Sequence, residues 1–451
     1  MSPLLVVGFV ICGAAHALAE PPPPDLKAGE AVYQQSCARC HGISGRGDGV
    51  DAKRFYPRPR DLTLGVYKFR STASGTPPTD EDIFQTITRG LPGSNMPDWQ
   101  QLDERARWQL VYYLKSLSPL FEQTAPEAVA TASDPGPKRA DVAKGRQLYE
   151  QLGCAACHGA QGWANGPSAA GLVDDWGMPM RPANLAQGWN YRGWSDPESI
   201  MLRVLTGIDG AGMPSYAEAL SAEDAWHLAY YVASLQEPPR WNRVARASRL
   251  EGVLPSAPDD ARWQGVERTD VRLRNAVDAD GVWTSPPTVN MVSAQVVYNA
   301  DGMAVRLTWP DPTEDRQGAA DAASLLLKPP SVQGDVVTLQ AWPSAGAPAL
   351  DLCYWSADQP AAQEAVAVGF ESIRSRQGRL AMLESEASYS DGQWQMVLQR
   401  PFARPEVPHA AVLTPEQWSA VAFAVWDGGN PQAQAISPWL DIEFQSQEGG
   451  H

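Results

Sequence analysis

The sequence predicts a multidomain chain in which two small all-α domains are followed by an all-β sandwich domain. Three observations support this fold class. A helical pattern occurs twice between residues 25 and 237. Short runs that alternate apolar and polar residues replace it after residue 239. A length of 451 residues, with 43% hydrophobic side chains, suffices for about three domains. The expected domains span residues 25–120, 140–237 and 241–451.

The N-terminal segment has the pattern of a secretory signal peptide. An apolar stretch over residues 4–15 precedes Ala17-Leu18-Ala19, a small-x-small cleavage site, so residues 1–19 are predicted to be removed on export and the location is predicted to be periplasmic. The segment lacks Lys and Arg, and the alternative is an uncleaved segment that anchors the chain to a membrane.

The chain is acidic, with a formal net charge of −16, of which −11 falls in residues 241–451. This charge argues against nucleic acids and anionic membrane surfaces as partners, and solubility is its simplest explanation.

The cysteines occur in a pattern that does not suit disulfides. Without the leader the chain keeps five cysteines, Cys37, Cys40, Cys154, Cys157 and Cys353. An odd number in an exported chain, with four of them in two x-x-spaced pairs, argues against a disulfide framework. Each pair is followed directly by a histidine, His41 in the first and His158 in the second.

The two Cys-x-x-Cys-His motifs lie inside longer matching segments. Each copy has three predicted helices. The first precedes the motif, at residues 28–33 and 144–149, and the second is an amphipathic helix that ends in glycine, at residues 82–90 and 199–207. The third ends the copy, at residues 108–117 and 226–235. The segment between the copies, residues 121–139, is rich in Ala, Pro, Glu and Thr and is expected to be a tether.

Each copy also contains a methionine in a Pro/Gly loop between its last two helices. Met96 follows His41 by 55 residues, and Met213 follows His158 by 55 residues. Met178 and Met180 compete with Met213 in the second copy. The equal spacing favours Met213.

This arrangement suits covalent haem c attachment. Two thiols one turn apart form thioethers to the haem, the adjacent histidine is the proximal ligand, and a methionine thioether binds the opposite face. A redox dithiol or a zinc site does not require the histidine or the equally spaced methionine. The sequence therefore predicts two covalent haems, with axial pairs His41 and Met96, and His158 and Met213. Because both axial positions are filled, the chain is predicted to transfer electrons and not to be an enzyme.

The arginines near the motifs can be interpreted in two ways. Arg58, Arg60 and Arg181 are expected either to pair with haem propionates or to be solvated surface side chains.

Residues 25–237 resemble class I c-type cytochromes and, as a tandem, the dihaem cytochromes c. The resemblance rests on both Cys-x-x-Cys-His motifs and both methionine loops. It implies two compact helical domains, each with a mostly buried haem that has one exposed edge.

The third segment carries strand patterns. The predicted strands are residues 295–298, 304–309, 336–340, 350–355, 393–399, 421–426 and 442–444. A hairpin turn is predicted at Asn299-Ala300-Asp301-Gly302, and turns that separate strands are predicted at Asp391-Gly392 and at Asp427-Gly428-Gly429-Asn430. A β-sandwich fits this pattern, and Cys353 is expected to pack as a small apolar side chain.

Residues 265–445 resemble the haem b-binding γ subunits of ethylbenzene dehydrogenase and dimethylsulfide dehydrogenase, which accompany molybdenum enzymes of the DMSO reductase type. The motifs are residues 307–313, 352–358, 399–402 and 421–428. The resemblance implies a molybdopterin and iron–sulfur oxidoreductase as partner, and a haem b held by a methionine and a lysine.

The residues that would ligate haem b are missing from their expected places. The loop at 339–348 has no methionine, Arg400 stands where lysine is expected, and Lys328 is the only lysine of this domain. We therefore expect a sandwich without haem. Haem b stays an open alternative, with Met291, Met303, Met382, Met396 and His409 as substitute ligands.

The sequence thus predicts a periplasmic dihaem cytochrome c that exchanges electrons with a molybdenum oxidoreductase. One alternative is a free-standing shuttle between a membrane quinol oxidoreductase and a terminal acceptor. The other is a dihaem peroxidase or thiosulfate-oxidising enzyme, which would need one iron with a labile or non-methionine ligand.

Overall fold

The computed structural model describes residues 21–174, 177, 180–275, 288–327, 349–367, 372–376, 382–403, 411, 413–415, 419–430 and 434–444. These residues form a helical N-terminal part and a large mixed β-sheet in the C-terminal half. The predicted leader, the strand at 336–340 and the loop at 339–348 lie outside the described residues. Within the described residues, no helix has both the length and the apolar character needed to cross a membrane.

The helices occupy the positions that the repeated pattern predicts, with three short ones in addition. They are α1 (Leu26–Ser36), α2 (Ala38–His41), α3 (Asp80–Arg89), α4 (Glu104–Ser116), α5 (Leu120–Gln123), α6 (Val142–Gln151), α7 (Ala155–His158), α8 (Pro197–Thr206) and α9 (Ala222–Ser234). In each copy the first and last helices pack together, α1 on α4 and α6 on α9.

The two copies share the same helix caps and the same helix crossings. The Asp25 carboxylate accepts from Ala28 N at 3.0 Å to cap α1, and the Asp141 carboxylate accepts from Lys144 N at 2.9 Å to cap α6. Each of these helices crosses its partner through a glycine. A Cβ at Gly29 would lie 2.2 Å from the Gln109 carbonyl oxygen. The helices therefore approach closely only because a side chain is absent.

Residues 121–139, predicted as a tether, contact both helical copies. Thr72 pairs with Ala128 in an isolated bridge, and Trp226 Nε1 donates to the Ala132 carbonyl oxygen at 2.8 Å. The Tyr230 hydroxyl donates to the Asp134 carboxylate at 2.9 Å.

The described strands form one mixed sheet. They are β1 (Val244–Arg249), β2 (Thr269–Arg272), β3 (Arg274–Asn275), β4 (Met291–Tyr298), β5 (Gly302–Pro310), β6 (Ala322–Leu327), β7 (Leu350–Ser356), β8 (Gln363–Ala367), β9 (Arg374–Ser375), β10 (Ser385–Ser390), β11 (Gln393–Pro401), β12 (Ser419–Trp426), β13 (Gln434–Ile436) and β14 (Leu440–Phe444). The main path runs β10-β11-β5-β4-β1-β14-β12-β6-β7-β8-β9. β1 is parallel to both its neighbours, β4 and β14, whereas the other pairings are antiparallel.

The predicted hairpin joins β4 to β5, and the predicted turn at Asp391 and Gly392 joins β11 to β10, a strand that was not predicted. Asp391 and Gly392 have φ values of 52° and 69°, as a tight two-residue hairpin turn requires. The predicted strands that lie within the described residues coincide with β4, β5, β7, β11, β12 and β14.

The sheet folds over so that distant strands face each other across one apolar core. Trp309 on β5 and Trp394 on β11 both contact Trp355 on β7, with ring centroids 6.2 Å and 5.1 Å apart. β5 and β7 are separated by five strands along the sheet, so these contacts cross the core between two layers. Cys353 is buried in the same core, where burial raises the pKa of its thiol to about 12.

Candidate functional site

Each Cys-x-x-Cys-His motif forms one short helical turn after a longer helix. His41 N donates to the Cys37 carbonyl oxygen at 2.9 Å, and His158 N donates to the Cys154 carbonyl oxygen at 2.9 Å. A tyrosine from the preceding helix fixes the end of the turn: the Tyr149 hydroxyl donates to the Gly159 carbonyl oxygen at 2.6 Å. Tyr33 does the same in the first copy. The cysteines of both motifs are half-buried.

The motif histidines are held at one ring nitrogen only. His41 Nδ1 lies 3.0 Å from the Arg60 carbonyl oxygen, and His158 Nδ1 lies 2.9 Å from the Ala183 carbonyl oxygen. A carbonyl oxygen can only accept, so Nδ1 carries the proton and Nε2 is left with its lone pair. Burial lowers the pKa of both imidazoles, which favours the neutral form that binds a metal.

The two methionine loops have the same backbone geometry. Leu91 N donates to the Met96 carbonyl oxygen at 3.0 Å, and Ile208 N donates to the Met213 carbonyl oxygen at 2.9 Å. Each loop turns back against the glycine that ends the preceding helix. Gly207 has a φ of 67°, and a Cβ there would lie 2.6 Å from Ser215 N. Glycine therefore allows the methionine to stand close to the helix end.

In the second copy the predicted residues surround one cavity. Cys154, Cys157, His158 and Met213 all line a cavity of about 960 Å³. Met180 lines it too, and Met178 lies outside the described residues. A volume of this size is in the range of cofactor pockets, roughly 300–1,000 Å³. The donor set and the cavity thus fit a haem c.

In the first copy Cys37 packs on the core that contains Tyr33 and Trp108, as Cys154 packs on the core that contains Tyr149 and Trp226. Met96 is half-buried, like Met213. The first Met loop also reaches the cavity of the second copy, called the second cavity below, because Gly93, Ser94 and Asn95 line it.

The second cavity is strongly cationic. Its described lining contains Lys68, Arg181, Arg192, Arg203, Arg272 and Arg274, against Asp427 as the one acid. Burial lowers the pKa of Arg203 to about 10, and burial together with nearby Arg274 lowers the pKa of Arg272. A cavity with this charge favours an anionic ligand, such as a group that carries carboxylates.

Sequence reasoning did not find the residues that the sheet contributes to this cavity. Arg272 and Arg274 lie on β2 and β3, and Arg272 stands over the Trp189 ring at 5.8 Å. The contact with Trp189 joins the sheet to the second helical copy. Their strands are short and carry no alternation that marks a binding site, so no sequence signal pointed to them.

Further contacts attach the sheet to the second copy. Asn165 Nδ2 donates to the Asp391 carbonyl oxygen at 2.7 Å and to the Gly392 carbonyl oxygen at 3.0 Å. Arg181 forms an ion pair with Asp427 at the end of β12. Arg181 is thus engaged by a carboxylate of the sheet.

The two helical copies are also joined. Arg70 is buried and donates to the Tyr67 carbonyl oxygen at 2.9 Å and the Thr206 carbonyl oxygen at 3.0 Å, and it pairs with Asp209 at 2.9 Å. Asp209 lies in the loop that leads to Met213, so the first copy contacts the second next to its methionine.

The described residues of the sheet do not support a haem b. Met303 and Met396 are buried in the apolar core, and Arg400 is buried beside Glu364. Met291 is half-buried and Met382 is 48% exposed. Lys328, His409 and the loop at 339–348 lie outside the described residues.

Comparison with known proteins matches the helical part to cytochromes. Residues 24–114 and 140–232 match the family described as cytochrome c oxidase, cbb3-type, subunit III. A cbb3-type cytochrome c oxidase subunit CcoP from Azospirillum sp. (strain B510) is 30% identical over 228 residues, which are 47% of this chain and 62% of that protein. The chain therefore spans about three fifths of that relative.

Two further likenesses involve subunits of redox complexes. The chlorate reductase subunit gamma of Ideonella dechloratans is 26% identical over 225 residues, which are 46% of this chain and 87% of that protein. A chain of the Kuenenia stuttgartiensis reducing HAO-like protein complex is 42% identical, covers 47% of this chain and 96% of its own length, and gives a TM-score of 0.45.

The matched segments contain both Cys-x-x-Cys-His motifs, and the cavity, the oriented histidines and the methionine loops fit the same chemistry. The helical part of this chain is therefore similar to c-type cytochromes, and its two motifs suit electron transport through covalently bound haem c.

Proposed function

We propose that this chain is an exported dihaem cytochrome c that serves as the electron-transfer component of a periplasmic oxidoreductase. Cys37 and Cys40 would attach the first haem, and Cys154 and Cys157 the second. The axial pairs would be His41 with Met96 and His158 with Met213. When bound, haem c supplies a one-electron Fe(III)/Fe(II) couple.

The observation that carries this proposal is the second cavity. It gathers two thiols, an imidazole with a free Nε2 and a thioether around a space of suitable volume. The first copy has the same hydrogen bonds at equivalent positions, so the same ligand set applies there. With Met96 and Met213 as ligands opposite His41 and His158, both axial positions would be filled and no position would remain for a substrate, which favours electron transfer over a peroxidase or thiosulfate-oxidising activity.

The residues of this chain have separate tasks in that function. The Arg60 and Ala183 carbonyl oxygens orient the two imidazoles, and the glycine-ended loops hold the two thioethers. The cationic side chains around the second cavity balance the negative charge of propionates. Packing of Gly93 against the Tyr191 carbonyl brings the first methionine loop beside the second cavity, which favours exchange of electrons between the two sites.

The partner is proposed from similarity. The likeness to a chlorate reductase subunit supports an oxidoreductase as partner. A molybdenum centre in that partner rests on the resemblance of residues 265–445 to γ subunits of DMSO reductase-type enzymes, and the periplasmic location rests on residues 1–19. If the chain is instead a free-standing shuttle, it will purify alone, whereas a subunit will co-purify with a molybdopterin-containing chain.

Intact-mass measurement of the denatured protein tests the number of covalent haems. Protein expressed with a haem c maturation system should retain two haems per chain, because thioether bonds survive denaturation. A variant with Cys154→Ser and Cys157→Ser should retain one. A wild-type chain that carries one haem or none under these conditions contradicts the proposal.

A further inference from the structure

Three buried carboxylates meet at the edge of the sheet that faces the second cytochrome copy. Asp311 follows β5, Asp321 precedes β6 and Asp427 follows β12, and all three are at most 1% exposed. One oxygen from each lies within 4.8 Å of the others. Arg181 and Asp427 also line the second cavity, so the cluster stands in its wall.

The oxygens of two of these carboxylates already accept hydrogen bonds. Asp321 accepts from Gly428 N at 2.8 Å, from Asp315 N at 2.8 Å and from Trp394 Nε1 at 2.9 Å. Asp427 accepts from Asn430 N at 3.1 Å and from Arg181.

Asp311 differs, because only one of its oxygens is engaged. Its Oδ1 accepts from Thr313 N at 3.2 Å, and its buried Oδ2 has no hydrogen-bond partner among the residues that the structure describes. A buried carboxylate oxygen without a partner is costly, so this atom requires a ligand or a proton.

The surroundings offer space and further oxygen donors. A Cβ at Gly429 would lie 2.9 Å from Thr313 Oγ1 and 3.2 Å from both Asp315 Oδ2 and Asp427 Oδ1. Gly429 thus leaves free the space that lies next to these three oxygens.

The charge of the cluster is not balanced by its contacts. Three carboxylates face one another, and among the described residues one guanidinium, that of Arg181, pairs with them. Burial, with Asp427 and Asp321 close by, raises the pKa of Asp311, and burial raises the pKa of Asp321 to about 6. Arg181 supplies one positive charge, so ionisation of all three carboxylates needs a further cation.

We propose that Asp311, Asp321 and Asp427 bind one divalent cation of the calcium class, with Asp311 Oδ2 as a direct ligand. Ca²⁺ takes oxygen ligands at about 2.3–2.6 Å, so two of its ligands can be up to about 5 Å apart, which matches the spread of these oxygens. The ion would connect the loops after β5 and β12. It would also hold Asp427, the ion-pair partner of Arg181, in place. This inference does not depend on the proposed function.

Equilibrium dialysis of the full haem-loaded chain against Ca²⁺ alone, and against Mg²⁺ alone, tests the site. We expect one bound Ca²⁺ per chain with a Kd below about 1 mM, weaker Mg²⁺ binding, and a higher Tm in Ca²⁺ than in chelator. Asp311→Asn should weaken Ca²⁺ binding at least about 10-fold, because it removes the ligand charge. Asp301→Asn, at an exposed turn of the same sheet, should bind like the wild type.

A second variant keeps the test decisive if Asp311→Asn does not fold. Arg181→Met leaves every carboxylate in place and removes the cation that competes for Asp427, so Ca²⁺ should bind more tightly. No bound Ca²⁺ in the wild type up to about 10 mM, equal binding by Asp311→Asn, weaker binding by Arg181→Met, or a preference for Mg²⁺ would each overturn the proposal. In the first case a proton on Asp311 is the charge-balancing group.

Discussion

At the scale of single residues, the proposed ligation by Met96 and Met213 can be tested through the potentials of the two proposed haem sites. Met213→His replaces a soft thioether by a harder nitrogen donor, so the potential of the second site should fall by on the order of 0.1 V or more while the first stays unchanged. Met96→His should give the reverse pattern. Spectroelectrochemical titration measures both potentials, and the methionine-to-iron charge-transfer band reports the ligand.

Met180→Leu is the matched control, because Met180 lines the same cavity and is buried. It should leave both potentials and the charge-transfer band in place. If Met180→Leu removes the band of the second site and Met213→His does not, the axial ligand has been assigned to the wrong methionine.

The two proposed ligand sets could be predicted from sequence because the same residue types recur at the same spacing in both copies. His41 and His158, with Met96 and Met213, keep the same separation in both copies. Residues that diverged between the copies were not predictable. The side chains of Asp48 and Asn165 approach equivalent glycines, Gly42 and Gly159, but only Asn165 can donate to the turn at Asp391.

At the scale of secondary-structure elements, the helix crossing through Gly29 can be tested by a substitution whose two effects oppose each other. Alanine favours a helix over glycine by about 1 kcal/mol. Its Cβ would lie 2.2 Å from the Gln109 carbonyl oxygen and 2.8 Å from Tyr113 Cβ, and the backbone atom cannot move aside alone. Gly29→Ala should therefore lower the free energy of unfolding by about 1–3 kcal/mol.

The control for this variant is Glu30→Ala, on the exposed side of the same helix. It should change stability by less than about 0.5 kcal/mol in the same thermal or denaturant unfolding measurement. A stabilised Gly29→Ala would mean that α1 and α4 are less tightly packed than the structure indicates.

The sheet shows why elements are easier to predict than their pairing. Asp391 and Gly392 predict a turn because its chemistry is local, and this turn sets the register of the adjacent strands β10 and β11. The parallel pairing of β1 with β14 joins segments almost two hundred residues apart, for which local sequence holds no signal. The acidic cluster depends on such long-range pairing, since Asp311 and Asp427 follow different strands.

At the scale of the whole molecule, Arg70 couples the two cytochrome copies. Arg70→Met should cost about 3–5 kcal/mol, because it removes a fully buried guanidinium and leaves Asp209 without its ion-pair partner. The two copies should then unfold in separate steps that calorimetry can resolve. Arg105→Met, at an exposed helical position, should unfold like the wild type. A single unchanged transition in Arg70→Met would show that the copies are coupled by other contacts.

The C-terminal sheet contributes cationic side chains to the cavity of the second helical copy. The sheet supplies Arg272 and Arg274 to the wall of the second cavity and contacts that copy through Asn165. Positive charge near a haem favours the reduced state, and cover by a folded domain keeps water away from it.

Arg272→Gln with Arg274→Gln should therefore lower the potential of the second site by tens of millivolts and leave the first unchanged. The shift should shrink as salt rises, because the charges border a solvent-connected cavity. Arg105→Gln, on the first copy and exposed, removes one positive charge far from the sheet's two arginines in sequence; it is the surface-charge control and should move neither potential. Equal shifts at both sites would show that the sheet acts through the net charge of the protein. No shift at either site would show that Arg272 and Arg274 do not influence the second site. A shift confined to the second site would assign the sheet domain to tuning that site.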